Sequence, residues 1–359
     1  MSPQLAWAPI ARKVFAPVAA VILAVLVGSL IIWLAGDDPV AAFSALLQGA
    51  FGGSAQIGET LMRSTPLIIV GVGLAYGFRA GLFNIGAEGQ LFIGGMAGAY
   101  FGLVFGAWSG WVGIPVVLVL AAAAGAAWAF IPAILKARVG AHEVITTMMF
   151  TYIARYLVGW LVIGPLKAPG QVPQTDMLPQ SMRLPMLSSL SGGVAFGRAH
   201  VGFLLAVALA VAVWAVLKYT GLGFEARAVG FSPTAAENGG ISIAATTVKS
   251  LCISGAFAGV AGAAEVLGVY HRIFETFSSG LGFTGIAVAL LARNNPIAVI
   301  PSAILFGALY AGAPMMQLEA GVSKNVIFII QGLIIFFVAS ETVIDSLIQA
   351  AQKRAVAHA

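Results

Sequence analysis

The residues of this chain that could do chemistry are few, and they gather where charge is least expected. Residues 78–90 read FRAGLFNIGAEGQ, which sets Arg79, Asn84, Glu88 and Gln90 among Gly81, Gly86 and Gly89. Strongly apolar segments flank them, STPLIIVGVGLAYG at 64–77 and LFIGGMAGAYFGLVFG at 91–106. A charge at the bilayer centre costs about 2.5–3.5 kcal/mol on insertion scales, so such residues are kept where they line a cavity or meet a partner. Backbone broken by glycine is tolerated at that depth only when buried in protein or facing water. Residues 78–90 therefore read as a loop or broken helix lining a path across a membrane. Asn84 and Glu88 are one turn apart and would share a face if helical; with Gln90 they suit an uncharged, hydroxylated solute. Glu143, Thr146 and Thr147 make a second polar cluster, with Glu143 and Thr146 on one face. Both clusters also admit a plainer role, holding spans together by interhelical hydrogen bonds worth about 0.6 kcal/mol each. Arg155 and Glu265 are candidates for a buried charge pair.

Enzymatic signatures are missing. There is no GxxxxGKS or GxxxxGKT phosphate loop, no HExxH, no paired-cysteine metal site and no GxSxG elbow. The four histidines, His142, His200, His271 and His358, are scattered, and Cys252 is the single cysteine and reads as a small core residue. No catalytic residue, metal ligand or cofactor is expected.

The elements that must position the polar residues follow from composition. Of 359 residues, 60% are hydrophobic and 9% charged, with a mean hydropathy of +0.99, against about 25% charged in soluble domains. The fold class is an all-α polytopic membrane protein, read as a single transmembrane domain over 1–359. The 44 glycines exceed the roughly 7% average and suit helices whose backbones approach closely. The net charge of +5 is spread thinly rather than gathered with aromatics, so no nucleic-acid partner is expected; the surrounding lipid is.

About ten transmembrane helices are expected, near 14–35, 62–78, 88–107, 111–131, 142–164, 201–218, 245–268, 281–292, 296–313 and 325–341. A short amphipathic stretch after Asp37-Asp38-Pro39 reads as interfacial. The polar segment 165–200, with five prolines, is the longest extramembrane loop. Ten basic residues fall on the side of the N-terminus, among them Arg12, Lys13, Arg79, Lys136, Arg138, Arg293, Lys353 and Arg354, and six on the other. The positive-inside rule then puts both termini in the cytoplasm and 165–200 outside. Gly81-Leu82 and Gly86 recur as Gly280-Leu281 and Gly285, five spans apart, which suggests an inverted internal repeat with broken helices beside the path.

The decapeptide GLFNIGAEGQ, with HEVITTMMFTYIA at 142–154 and GLGFEARAVGFSPTAAENGGI at 221–241, resembles the permease subunits of bacterial ABC importers for nucleosides and simple sugars, relatives of the ribose and branched-chain amino-acid permeases. His142 departs from the small polar residue expected there. The resemblance implies a bacterial inner-membrane, multi-pass subunit with no ATP site of its own. Its implied partners are a separate ABC ATPase subunit, a second related permease and an extracytoplasmic substrate-binding lipoprotein, which largely sets the choice of a nucleoside-like solute. It also implies that 221–241 couples to the ATPase, through Glu225, Arg227, Ala228, Gly230, Pro233, Ala236 and Glu237. Glycines there bracket FEARAV and SPTAAENG, read as two short helices with Ser-Pro starting the second. Translocation would run past Asn84, Glu88, Gln90, Glu143 and Thr146. An ion-gradient-driven secondary transporter, with Glu88, Glu143 or Glu265 as the proton site, is the competing reading.

Overall fold

The structure, a computed structural model, describes residues 4–189 and 196–340. Residues 190–195 of the long loop and the basic pair Lys353 and Arg354 lie outside the described residues. Among those described the architecture is helical throughout, with α1 (Gln4–Leu34), α2 (Pro39–Phe51), α3 (Ser54–Arg79), α4 (Ala87–Val104), α5 (Gly110–Val139), α6 (Glu143–Ile163), α7 (Gly202–Tyr219), α8 (Gly221–Phe231), α9 (Pro233–Asn238), α10 (Ile243–Glu265), α11 (Leu281–Leu291), α12 (Pro296–Ala320) and α13 (Val326–Ser340). A π-helical turn, Val266–Tyr270, continues α10.

Each of the ten segments expected to span coincides with a helix. Among the described residues seven helices are long and apolar enough to cross a membrane on their own, α1, α3, α5, α6, α7, α10 with its π turn, and α12. The others are α11 and α13, which are short, and α4, whose first turn holds Glu88 and Gln90. Helix α2 begins as expected, with Asp38 capping Val40 N–H at 2.8 Å and Pro39 at the first helical position.

Helix α3 lies at the centre and is buried along most of its length from Gly58 to Gly77. Helix α10 packs most extensively on α5 and then on α4, and glycines bring the backbones together there. A Cβ at Gly259 would collide with the Ala121 carbonyl of α5, and one at Gly94 of α4 with Gly259 itself. With lipid as apolar as leucine, close backbone approach supplies the van der Waals contact that burial supplies in water.

The two ends of α3 define two faces. At its C-terminal end Arg79 Nε donates to the Asn294 carbonyl at 3.0 Å, and Gly230 of α8 lies directly on the Arg79 and Ala80 backbone. At its other end Arg63 and Arg198 both meet Glu59, at 3.1 and 2.6 Å. The long loop is tied down on this second face, where Thr175, Leu178 and Leu184 donate backbone N–H groups to the carbonyls of Ile273, His271 and Leu267.

Candidate functional site

The polar break is shorter than the sequence suggests. Helix α3 runs to Arg79, a turn occupies 80–86 with Gly81 at φ +73°, and α4 resumes at Ala87. The left-handed turn is a conformation glycine adopts at little cost. Gly89 lies inside α4, where its missing side chain admits Thr151 of α6, and Gly86 admits Thr147 in the same way.

Asn84 and Glu88 do not share a face, because Asn84 precedes the helix. Asn84 Nδ2 donates to Gln90 Oε1 at 2.8 Å and to Ser254 Oγ of α10 at 3.0 Å, while Gln90 Nε2 returns a bond to Asn84 Oδ1 at 3.2 Å. Asn84 and Gln90 thus close a buried reciprocal pair that fastens the turn to α10. Glu88 reaches the opposite way. Its Oε1 accepts from Ser278 Oγ at 2.7 Å and Gly280 N–H at 3.2 Å, and its Oε2 from Gly282 N–H at 2.6 Å. Gly280 and Gly282 open α11, so one carboxylate in the first turn of α4 also caps the N-terminus of α11. Both helix ends carry partial positive charge, which suits a buried anion between them.

Beside this clamp lies a cavity of about 360 Å³, bounded by Glu88 and Phe92, by Thr151, Tyr152 and Arg155 of α6, and by Thr276, Ser278 and Phe283. Arg155 is exposed on α6 among Tyr152, Ile153, Tyr156 and Trp160. It lines this cavity, whereas Glu265 lines another with Arg63 and Arg198; the two do not form the pair that the sequence allows.

Among the described residues no hydrogen bond or ion pair joins Glu143 or Thr146 to 84–90, although Thr147 packs on Gly86. Glu143 meets Lys136 across the α5–α6 turn at 2.8 Å, a charge contact off the hydrogen-bond direction, and Thr146 Oγ1 donates to the backbone carbonyls of Glu143 and His142 at 3.2 and 3.3 Å. Sequence reasoning missed Ser254, Ser278 and Gly282, which hold the site from 170 to 194 residues away. The recurrence of Gly-Leu at 280–281 was the available signal.

Residues 221–238 form a platform on the first face. The glycines expected to bracket its first helix lie inside α8, and they serve close packing: Gly223 sits on α7 at Val216 and Leu217, and Gly230 on the end of α3. Ser232 caps α9 and Pro233 opens it, as Ser-Pro implied. Glu225 pairs with Lys249 of α10 at 3.3 Å. Ala236 is buried, Ala228 half-buried, and Arg227, Pro233 and Glu237 exposed. Between them Phe231 stands 94% exposed and Phe224 59%.

A helical bundle with a glycine-packed interior, buried polar groups at two helix breaks and a short helical platform on one face defines a polytopic transport protein. Its family is shown by comparison: residues 56–339 match the branched-chain amino acid transport system / permease component family, and the chain belongs to it. It is 40% identical over 329 residues, 90% of this chain and 92% of the relative, to the guanosine ABC transporter permease NupP of Bacillus subtilis. It is 36% identical to a glucose ABC transporter permease of Haloferax volcanii (89% of this chain, 86% of the relative). It is 33% identical to the nucleoside ABC transporter permease NupB of Lactococcus lactis (95% and 94%). Each of these organisms has a second ABC permease that matches at 27–29% identity over 69–71% of this chain. No solved structure matches. The chain is therefore a multi-pass permease subunit of an ABC importer, a transport subunit rather than an enzyme.

Proposed function

We propose that this chain is one of two related permeases in an ATP-driven importer of nucleosides. The observation that carries the reading is the full-length likeness to a guanosine permease, and the likeness to a glucose permease makes a simple sugar the second candidate. A separate ATPase subunit, an extracytoplasmic binding lipoprotein and a bacterial inner-membrane setting complete the proposal. The second, weaker match in each of three organisms supports a heterodimer. Ten spans, cytoplasmic termini and one permease domain over the whole chain are part of it. So is an inverted repeat, in which the breaks before α4 and α11 are counterparts that meet at Glu88.

The solute would pass the cavity between Glu88 and α6. An arginine on an apolar face needs water or a partner, and a path shared with the second permease supplies both. Asn84, Gln90 and Glu88 then act by holding the wall of that path in shape. Glu143 and Thr146, at the start of α6, would line its inner mouth. Coupling residues divide by role. Arg227, Pro233 and Glu237 would meet the ATPase around Phe231, while Glu225, Ala228, Gly230 and Ala236 fasten the platform to the spans. Because Gly230 touches the backbone that leads into 80–86, displacement of the platform reaches the path directly.

Proteoliposomes holding both permeases, the ATPase and the binding protein test the reading. Guanosine uptake should require ATP, survive an uncoupler and resist excess glucose. Uptake abolished by the uncoupler would instead indicate an ion-driven transporter, and competition by glucose would reassign the solute.

A further inference from the structure

A second cavity, of about 370 Å³, lies among α3, α10, α12 and α13 on the long-loop face. Its size falls within the range of about 300–1,000 Å³ typical of small-molecule sites. Glu265 lines it. This carboxylate is 6% exposed, with no hydrogen-bond donor to it among the described residues and with the charges of Arg63 and Arg198 acting on it. It ends the regular part of α10, immediately before the π-helical turn Val266–Tyr270, a distortion found often at functional sites. Its oxygens are not sealed in the interior but open onto the cavity, so the donors of a bound solute can reach them, and a carboxylate this buried gains from such donors.

The rest of the lining narrows the chemistry. Tyr270, Phe277, Tyr310 and Phe328 supply aromatic faces and edges, and Phe328 lies edge-on to Tyr310 with ring centroids 6.3 Å apart. The Tyr310 hydroxyl stands 3.0 Å from Thr284 Oγ1 and 3.3 Å from Gln331 Oε1, leaving the buried Gln331 Nε2 without an acceptor. Arg63, Arg198 and Lys324 also line the cavity and would repel a cation. A neutral solute with a flat ring and two adjacent donors answers the carboxylate and the rings together.

The cavity also adjoins the first one. Thr276, Ser278 and Gly280 border the Glu88 cavity, Phe277 borders this one, and Ser279 borders both. One thickness of chain separates them, and the carboxylate of Glu88 holds that chain at Ser278 and Gly280.

We infer that the Glu265 cavity is an outer nucleoside-binding station on the import path. Glu265 accepts a pair of neighbouring donors, two ribose hydroxyls or the N–H groups of a purine edge, and the aromatic walls take the base. The inference rests on the nucleoside-importer reading.

Equilibrium binding of tritiated guanosine to the complete importer without its binding protein, in nanodiscs, tests it. Wild type should bind guanosine, Glu265→Gln should bind roughly tenfold more weakly, as expected for loss of a charge-assisted hydrogen bond, and Glu265→Asp should recover part of the loss. Phe328→Ala, a change at a half-exposed ring, should also weaken binding and carries the test if Glu265→Gln fails to assemble. Binding unchanged in every variant that assembles, with ATP-dependent guanosine uptake intact in wild type, would overturn the station and leave the importer reading standing. Absence of guanosine uptake by wild type would overturn both.

Discussion

Removing the Glu88 carboxylate should unfasten two helix ends at once. Glu88→Ala leaves three donors, Ser278 Oγ and the N–H groups of Gly280 and Gly282, without an acceptor in a site where Glu88 itself is 4% exposed. Each buried donor left unsatisfied costs about 1–3 kcal/mol, so the variant should lose about 3–9 kcal/mol. That is a large part of the roughly 5–15 kcal/mol that holds a typical domain folded. Glu88→Gln keeps one oxygen to accept from Ser278 and Gly280 and turns an amide toward Gly282, so it should lose about a third as much. The assay is thermal unfolding of the purified permease pair in detergent, followed by size-exclusion chromatography. Alanine should depress the melting temperature sharply and glutamine modestly, with uptake following in the same order. A Glu88→Ala protein that melts with wild type would refute the clamp, and normal melting with lost uptake would assign Glu88 to direct solute contact instead.

Five further outcomes follow from other parts of the fold. Gly259→Val places side-chain atoms against the α5 backbone at Ala121 and Gly125 and should destabilise by about 1–3 kcal/mol or more, read as lower yield and melting temperature. Phe231→Ala, at a ring 94% exposed, should leave insertion and melting unchanged while uptake falls severalfold. Cysteine at Ala235 should crosslink to the ATPase in a Cys252→Ser background, and crosslinking from 136–141 instead would relocate the coupling surface. Asp176→Cys in the same background should react with an impermeant maleimide from outside only. Burial holds His200 well below its ordinary 6.5, at about 4, with help from His271. The neutral ring is favoured in the fold, so stability is complete above pH 6.5 and declines as pH falls toward 4, by about 3 kcal/mol in all. His200→Asn, which can still accept from Gly202 N–H, should blunt that decline in melting temperature.

Much of the helical layout is legible from hydropathy, because a spanning helix must carry a long apolar run. Ser-Pro at 232–233 gives the start of α9 from local chemistry alone. The polar break was legible as a location but not as an arrangement. Asn84 and Glu88 look like neighbours on one face, and the end of the helix at Arg79 sends them to different partners. Partners such as Ser278 are 190 residues distant, and nothing local in the sequence joins such positions. The glycines of α8 look like turn residues in the sequence, since composition alone does not separate a glycine that bends a chain from one that lets another chain approach. Gly230 is of the second kind, so a bulky residue there, or at the buried Ala236, would dislodge the platform from the spans as well as alter its surface.

The glycine seam along α10 has a mechanical consequence. Interlocked side chains resist sliding, because ridges must leave their grooves and rotamers must change before one helix can shift past another. Where Gly94, Gly125 and Gly259 bring backbone against backbone, few ridges interlock. Shear, the small sliding of packed helices, is then opposed by polar fastenings such as the Asn84–Ser254 bond, which ties the turn before α4 to the middle of α10. The seam works as a slide with stops, and a transporter that must pass repeatedly between two arrangements can keep its tight packing in both.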